Sequence, residues 1–481
     1  MKKNSQSKAG ASRRDFIKTG AAAAAGFMVV PRHVLGGKGF VAPSDKLIVA
    51  SIGVGGKGES DIQHFHRSGK AEIAYLCDVD DRRAAGTVKR FPKAKYYKDY
   101  REMLDKEHSH FDAVSVSTPD HNHAIQALAA MQLGKHVYVQ KPLAHDVFEA
   151  RMLTQAAKKY NVVTQMGNQG ASGDGVRIMR EWFDAGLIGD VHTIYTWTDR
   201  PVWPQGIQWP AQKAEVPQEL DWDLWLGTAP QKDYVDKLVP FNWRGWWDYG
   251  TGALGDMGCH IMEAPFSILG LQYVKDVQAS VGTVYVDEFQ RGYFPESCPP
   301  SSYAVLTFPK TDKTAGDVKF HWMDGGIQPE RPAELGPNEV FGDGGNGILF
   351  EGTKGKMMAG CYAENPRLLP TSLTEQHQLP VKYERVPDGS EGHYAQWVEA
   401  CIAGPGNMEV SSPFSIAGPL TEALLMANLA IRGSSLRIDN QYPGRNLKLV
   451  WDNENMRVTN FDEVNQFVKR QYRSGWELPT V

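Results

Sequence analysis

Two side chains in the segment TGALGDMGCHIM (Thr251 to Met262) have the types and spacing for chemistry: Asp256 and His260, four residues apart. One helical turn separates them, so a helix starting here presents both on one face. Packing, half of a metal site and a proton-handling pair all fit that spacing. A metal needs further His, Cys or carboxylate ligands, and spacing identifies no third one, so no metal is expected. An imidazole, with an unperturbed pKa near ~6.5, suits proton transfer at neutral pH. Lys141, in VQKPLAHD, is the third such residue. Pro142 pushes it into an extended or turn conformation at the end of a predicted strand. That puts an amine at the sheet's carboxyl edge, with a solvated lysine before a turn as the competing role.

The loop GVGGKG supplies a different chemistry. Gly53, Gly55 and Gly58 form G-x-G-x-x-G after the apolar run Leu47 to Ile52 and before a helical pattern through Ile62 and Phe65. Asp78 follows 20 residues past Gly58. That context predicts dinucleotide binding. Gly53 permits the tight turn, Gly55 lets backbone approach the pyrophosphate, and Gly58 lets helix pack on strand. Gly56 and Lys57 complete the loop at a helix N-terminus, which attracts phosphate. Asp78 suits a ribose and favours NAD. Arg82 or Arg83 could instead meet a 2′-phosphate, so NADP is not excluded. In STPDHNHA, Thr118 and Pro119 end a strand on the ligand-binding side of such a sheet. His121 and His123 read as loop residues near the cofactor, with helix capping as the competing role.

Around these residues strand and helix alternate from about Lys46 to Gln165, which predicts a doubly wound α/β domain with a mostly parallel sheet. After Gln169 the segments DVHTIYTWT, DVQASVGTVYV, SYAVLTF and DVKFHW alternate with period two, as half-buried antiparallel strands do. Two helical patterns return late, HYAQWVEACIAG and GPLTEALLMANLAIRGSS. The expected division is an export leader over 1–35, a nucleotide-binding domain over 45–168 and a substrate domain over 169–481.

The leader rests on a basic start, the pair Arg13-Arg14 in SRRDFIK, and a short apolar run that resembles a twin-arginine signal. It predicts an exported, periplasmic bacterial protein. Removing it deletes seven Lys/Arg and one Asp, so the formal charge of −4 becomes −10. Such a chain has no electrostatic reason to bind nucleic acid or anionic membrane. No other segment reads as long and apolar enough to span a bilayer. Five scattered cysteines give no disulfide scaffold.

GVGGKG, CDVD, STPDHNH, QKP and GALGDMGCH occur in the order seen in the Gfo/Idh/MocA oxidoreductases, and the chain resembles that family from Lys46 to Leu269. The resemblance implies an N-terminal Rossmann domain and a C-terminal α/β domain with a large, mostly antiparallel open sheet that often forms subunit contacts. Homo-oligomerisation is therefore expected. The resemblance assigns Lys141, Asp256 and His260 to catalysis. His260 would take the proton, Lys141 stabilise the oxyanion, and Asp256 orient the imidazole or bond the sugar. Gln140, beside the cofactor, replaces the family's usual Glu before Lys141.

QMGNQG, TDRPVWPQG and FNWRGWWDYGTG resemble exported bacterial members linked to glycoside metabolism. They nominate Asn168, Gln169, Arg200, Trp203, Trp243, Arg244 and Trp247 for substrate, by stacking and bidentate hydrogen bonds. For each Trp, core packing is the competing role. The implied function is an NAD(P)-dependent oxidoreductase acting on a sugar or glycoside hydroxyl, C3 being one candidate, with tightly held cofactor. An NAD-dependent glycosidase or lyase working through a transient 3-keto sugar is the alternative. A non-catalytic NAD- and sugar-sensing protein is the second.

Overall fold

The computed structural model describes residues 45–377 and 379–481. The expected leader lies outside the described residues. The first layer is a six-stranded parallel sheet with helices between its strands: β1 (Leu47–Ile52), α1 (Lys57–Arg67), β2 (Ala71–Cys77), α2 (Asp81–Arg90), β3 (Lys95–Tyr97), α3 (Tyr100–Glu107), β4 (Ala113–Val116), α4 (His123–Gln132), β5 (His136–Val139), α5 (Val147–Tyr160) and β6 (Thr164–Met166). Strand order is β3-β2-β1-β4-β5-β6. β1, β4 and β5 are buried on both faces, which is why they read as short unbroken apolar runs. The order reverses between β1 and β4, which opens a crevice at their carboxyl ends.

The rest of the chain builds a second layer. Its elements are α6 (Asp174–Asp184), β7 (Val191–Trp197), α7 (Trp222–Leu226), α8 (Cys259–Leu269), β8 (Asp276–Val281), β9 (Tyr285–Asp287), β10 (Gln290–Arg291), β11 (Ser302–Phe308), β12 (Val318–Met323), β13 (Gly347–Gly352), β14 (Lys356–Ala359), β15 (Arg367–Leu369), α9 (Ser372–Gln376), α10 (Gly389–Ala403), α11 (Phe414–Ser435), β16 (Leu449–Asp452) and β17 (Arg457–Val458). β9 and β10 pair as a separate hairpin, and the others form a nine-stranded sheet, β15-β14-β13-β7-β12-β11-β8-β16-β17. Every pair in it is antiparallel except β7 with β12, which is parallel. Alternation of period two is the same in both orientations, so it cannot report the exception.

The two late helices lock the layers together. α10 sends Tyr394 and Trp397 into the apolar cluster of Phe65 and Tyr138. α11 corrects the expectation that nothing beyond the leader is long and apolar enough to cross a membrane, since by length and composition it is. Here it is almost entirely buried, packed on α5, α8 and β8. Burial all round explains a helix that is apolar all round.

Candidate active site

The glycine loop, from the end of β1 to the start of α1, forms one end of a cavity of about 720 Å³ at the carboxyl edge of the parallel sheet. A Cβ on Gly58 would lie 1.9 Å from the Gly53 carbonyl oxygen, so only glycine lets α1 start this close to β1. The N-terminus of α1 has no side-chain cap, leaving its backbone N–H groups facing the cavity. This cradle, with an uncapped N-terminus behind it, fits the pyrophosphate of a dinucleotide. Asp78 lines the same cavity. Its Oδ2 accepts from Val54 N at 2.8 Å and Gly55 N at 3.2 Å, so it also braces the loop. Burial raises its pKa despite those hydrogen bonds.

At the other end Lys141, Asp256 and His260 converge. Lys141 Nζ donates to Asp256 Oδ1 at 2.7 Å and to the Asp256 carbonyl at 2.8 Å. An ammonium has three N–H donors, so one remains for a ligand. Burial alone would raise the Asp256 pKa, but the charges of Lys141 and Arg244 reverse that and hold it below the usual carboxylate range. Arg244 Nε stands 3.4 Å from Asp256 Oδ1, and Nη1 donates to Asp120 Oδ1 at 3.1 Å. Asp120 accepts in turn from Thr251 N and Oγ1. The result is a buried string of alternating charge from Lys141 to Asp120.

Asp256 lies in a π-helical turn, Leu254–Gly258, and His260 in the first turn of α8. The wide turn still delivers both side chains to the cavity, and such turns recur at functional sites. α11 holds this junction from behind. The Leu424 side chain would be 2.4 Å from a Cβ on Gly258, and Asn428 Nδ2 donates to Thr251 O at 2.9 Å. The imidazole is not oriented by Asp256. His260 Nδ1 lies 2.9 Å from Asn168 Oδ1, an acceptor only, so Nδ1 carries the hydrogen. Nε2 is left as the lone-pair nitrogen. Burial, then the charge of Lys141, pushes the His260 pKa well below its ordinary value, and the imidazole is neutral.

Gly53, Gly55, Gly56 and Lys57 line the cavity, as do Thr118 and Pro119. Gln140, Gln169, Trp243 and Arg244 line it too. Gln140 Nε2 donates to Asp61 Oδ2 at 2.8 Å, and its Oε1 accepts from Lys141 N at 3.3 Å. Seven expectations are corrected. Arg82 turns to Asp80, donating from Nε and Nη2 at 2.8 and 2.6 Å, and Arg83 faces the cavity in its place. His123 is buried, with ring nitrogens 2.7 Å from the Pro142 and Thr118 carbonyls, and braces two strand ends. Asn168 is fully buried behind His260 and has no face toward substrate. Arg200 pairs with Asp199 outside the cavity. Trp203 is buried and donates to Gln205. Trp247 packs in the core, 5.3 Å from the Arg432 guanidinium. His121 is likewise buried, between Trp225 and Tyr249.

Two residues were beyond motif reading. Tyr362, in a left-handed turn at φ 59° after β14, places its ring 4.6 Å from that of His260, edge to face. Burial pushes its phenol up to about 12, so it stays protonated. Tyr394 accepts from Lys57 Nζ at 2.7 Å, and Lys57 also meets Asp61 at 2.8 Å. No motif marks either tyrosine; only the late position of α10 hinted at the second.

Residues 47–168 match the Gfo/Idh/MocA model described as "Oxidoreductase family, NAD-binding Rossmann fold", and 186–290 match its "C-terminal alpha/beta domain". Among curated proteins, a "Glycosyl hydrolase family 109 protein" of Shewanella pealeana is 31% identical over 171 residues, 31% of this chain and 37% of the relative. A "Levoglucosan dehydrogenase" of Pseudarthrobacter phenanthrenivorans is 24% identical over 196 residues, 40% of this chain and 42% of the relative. The chain thus spans about two fifths of the length of these relatives. Among solved structures, the WlbA dehydrogenase of Bordetella pertussis with NADH and UDP-GlcNAcA gives a TM-score of 0.53 at 16% identity, covering 79% of this chain and 95% of that one. Levoglucosan dehydrogenase with NADH and levoglucosan gives 0.53 at 17%, covering 80% and 97%. At that identity the likeness is one of fold.

Proposed function

Because the chain belongs to the Gfo/Idh/MocA oxidoreductases, we propose that it oxidises or reduces a sugar or glycoside hydroxyl with NAD. The observation that carries this is the convergence of Lys141, Asp256 and His260 on the cavity that begins at the glycine loop. NAD, when bound, supplies the hydride acceptor. Gly53, Gly55, Gly56 and the α1 N-terminus would hold its phosphates, and Asp78 would meet the ribose. His260 Nε2 takes the substrate hydroxyl proton, its Nδ1–H fixed on Asn168. Lys141 turns its remaining N–H to the same oxygen as negative charge develops. Asp256, ionised, fixes Lys141 and offsets the charge that His260 gains. Trp243 and Gln169 supply the wall against which a sugar ring can lie.

The test is a panel of sugars and glycosides followed at the nicotinamide absorbance, with product analysis. A protein that binds NAD yet reduces it with no sugar or glycoside would overturn the reading. The family 109 relatives favour a second reading, net glycoside cleavage through transient oxidation. Aglycone release without net NADH formation would decide for it.

The reading extends to export with cofactor already loaded and held, and to a homo-oligomer. Nucleotide freed by denaturing the purified periplasmic protein supports the first; an empty protein with weak affinity for added NAD refutes it. Sedimentation measures the second, and a monomer at micromolar concentration refutes it.

A further inference from the structure

A second cavity, of about 100 Å³, lies behind the loop that carries Trp243 and Arg244. The wall between is the segment through Ser297 and Pro300. Its Cys298 N donates to Gly245 O at 2.8 Å, and Trp247 N donates to Glu296 O at 2.9 Å. Arg291 of β10, Arg432 of α11 and Arg445 line this cavity, with Trp247, Tyr293 and Phe294 among its rings. Among the described residues, no Asp or Glu lines it.

Among the described residues, none of the three arginines has a carboxylate at salt-bridge distance; Asp248 and Asp146 act on Arg432 only from farther off, and Arg445 is exposed at the rim. Three part-buried arginines elsewhere do meet carboxylates: Arg151 pairs with Glu422, Arg385 with Glu181 and Arg470 with Glu149. Among the described residues, Arg291 has a side-chain hydrogen bond only to Thr283 Oγ1, at 2.7 Å. Arg432 has no hydrogen-bond acceptor there; it stacks 3.7 Å from the Phe467 ring. Arg445 stacks 3.7 Å from the Tyr442 ring. Burial lowers the Arg432 pKa to about 10. Burial and the charge of Arg291 lower that of Arg445. Like charges brought together without a counter-ion repel, and the guanidinium is built to hold planar oxyanions.

We propose that this cavity binds an oxyanion, a carboxylate or phosphate on a small ring-shaped ligand, with the anion facing Arg432 and the ring against Tyr293 and Phe294. A single water occupies about 10–15 Å³ on this measure, so the space admits an oxyanion with a small body and excludes a nucleotide.

The experiment uses the full chain saturated with NAD, so that the main cavity is filled. Calorimetric titrations with inorganic phosphate, glucuronate and, as neutral control, glucose are compared. Saturable one-to-one binding of an anion is expected, phosphate alone naming a phosphorylated ligand and glucuronate alone a carboxylated one. R445Q and R291Q, at the rim, should each weaken it about tenfold or more, the share of one charged hydrogen bond, with melting temperature and NAD content unchanged. R432Q is read only if it melts like the parent. The proposal is overturned if neither anion binds saturably, if the rim variants bind as the parent does, or if they alter subunit assembly in place of anion affinity.

Discussion

Asn168 Oδ1 accepts the Nδ1 hydrogen of His260 at 2.9 Å. A carboxamide there sets the tautomer without adding charge. N168D puts a carboxylate beside the imidazole, which favours the imidazolium and raises the His260 pKa. The expected outcome is an acid limb of kcat/KM moved to higher pH, with NAD affinity unchanged. A limb that stays in place would show that His260 is not the titrating base.

In the parent the sign runs the other way. Burial and Lys141 disfavour the charged imidazole, so His260 keeps its lone pair on acidification past the ordinary histidine value of ~6.5. Activity measured against pH should therefore begin to fall only below ~6.5. H260Q should lower kcat by about 10²–10⁴-fold while the protein still binds NAD.

Asp256 is the shared counter-charge of Lys141 and Arg244. D256N leaves two mostly buried cations short of a partner. Breaking such a pair costs about 3–5 kcal/mol, and the melting temperature should fall accordingly. Activity should fall with it, and a melt equal to the parent's would refute the pairing.

G58A should abolish NAD binding, because its Cβ has nowhere to go but into the Gly53 carbonyl, 1.9 Å away. Equilibrium titration of NAD fluorescence quenching checks this. Retained micromolar affinity would mean that the loop is looser than drawn.

Substrate residues can be sorted by KM. W243A should raise KM, because Trp243 lines the cavity. R200A should leave KM unchanged, because Arg200 pairs with Asp199 away from it.

The nucleotide half of the site was legible because its chemistry depends on local spacing: three glycines, a following helix and an acidic residue at fixed distance. Lys141, Asp256 and His260 were legible as types in an order, but not in their partnerships. His260 finds Asn168 across 92 residues of chain, and no spacing rule reports that. Trp203 and Trp247 read as sugar platforms because an indole in an irregular loop can face in or out, and only the packed fold decides. Tyr362 carried no motif. It reaches His260 through a left-handed turn that the segment CYAENP does not advertise.

The hydrogen bond from Lys57 to Tyr394 joins positions 337 residues apart. During synthesis at about 5–20 residues per second, the glycine loop therefore waits roughly 20–70 s for its last brace. Until α10 has been made, Lys57 has Asp61 but no phenol, and the parallel sheet has no lid over Phe65. Order of assembly is thus written into the site: the segment that begins the pocket is translated first and finished nearly last.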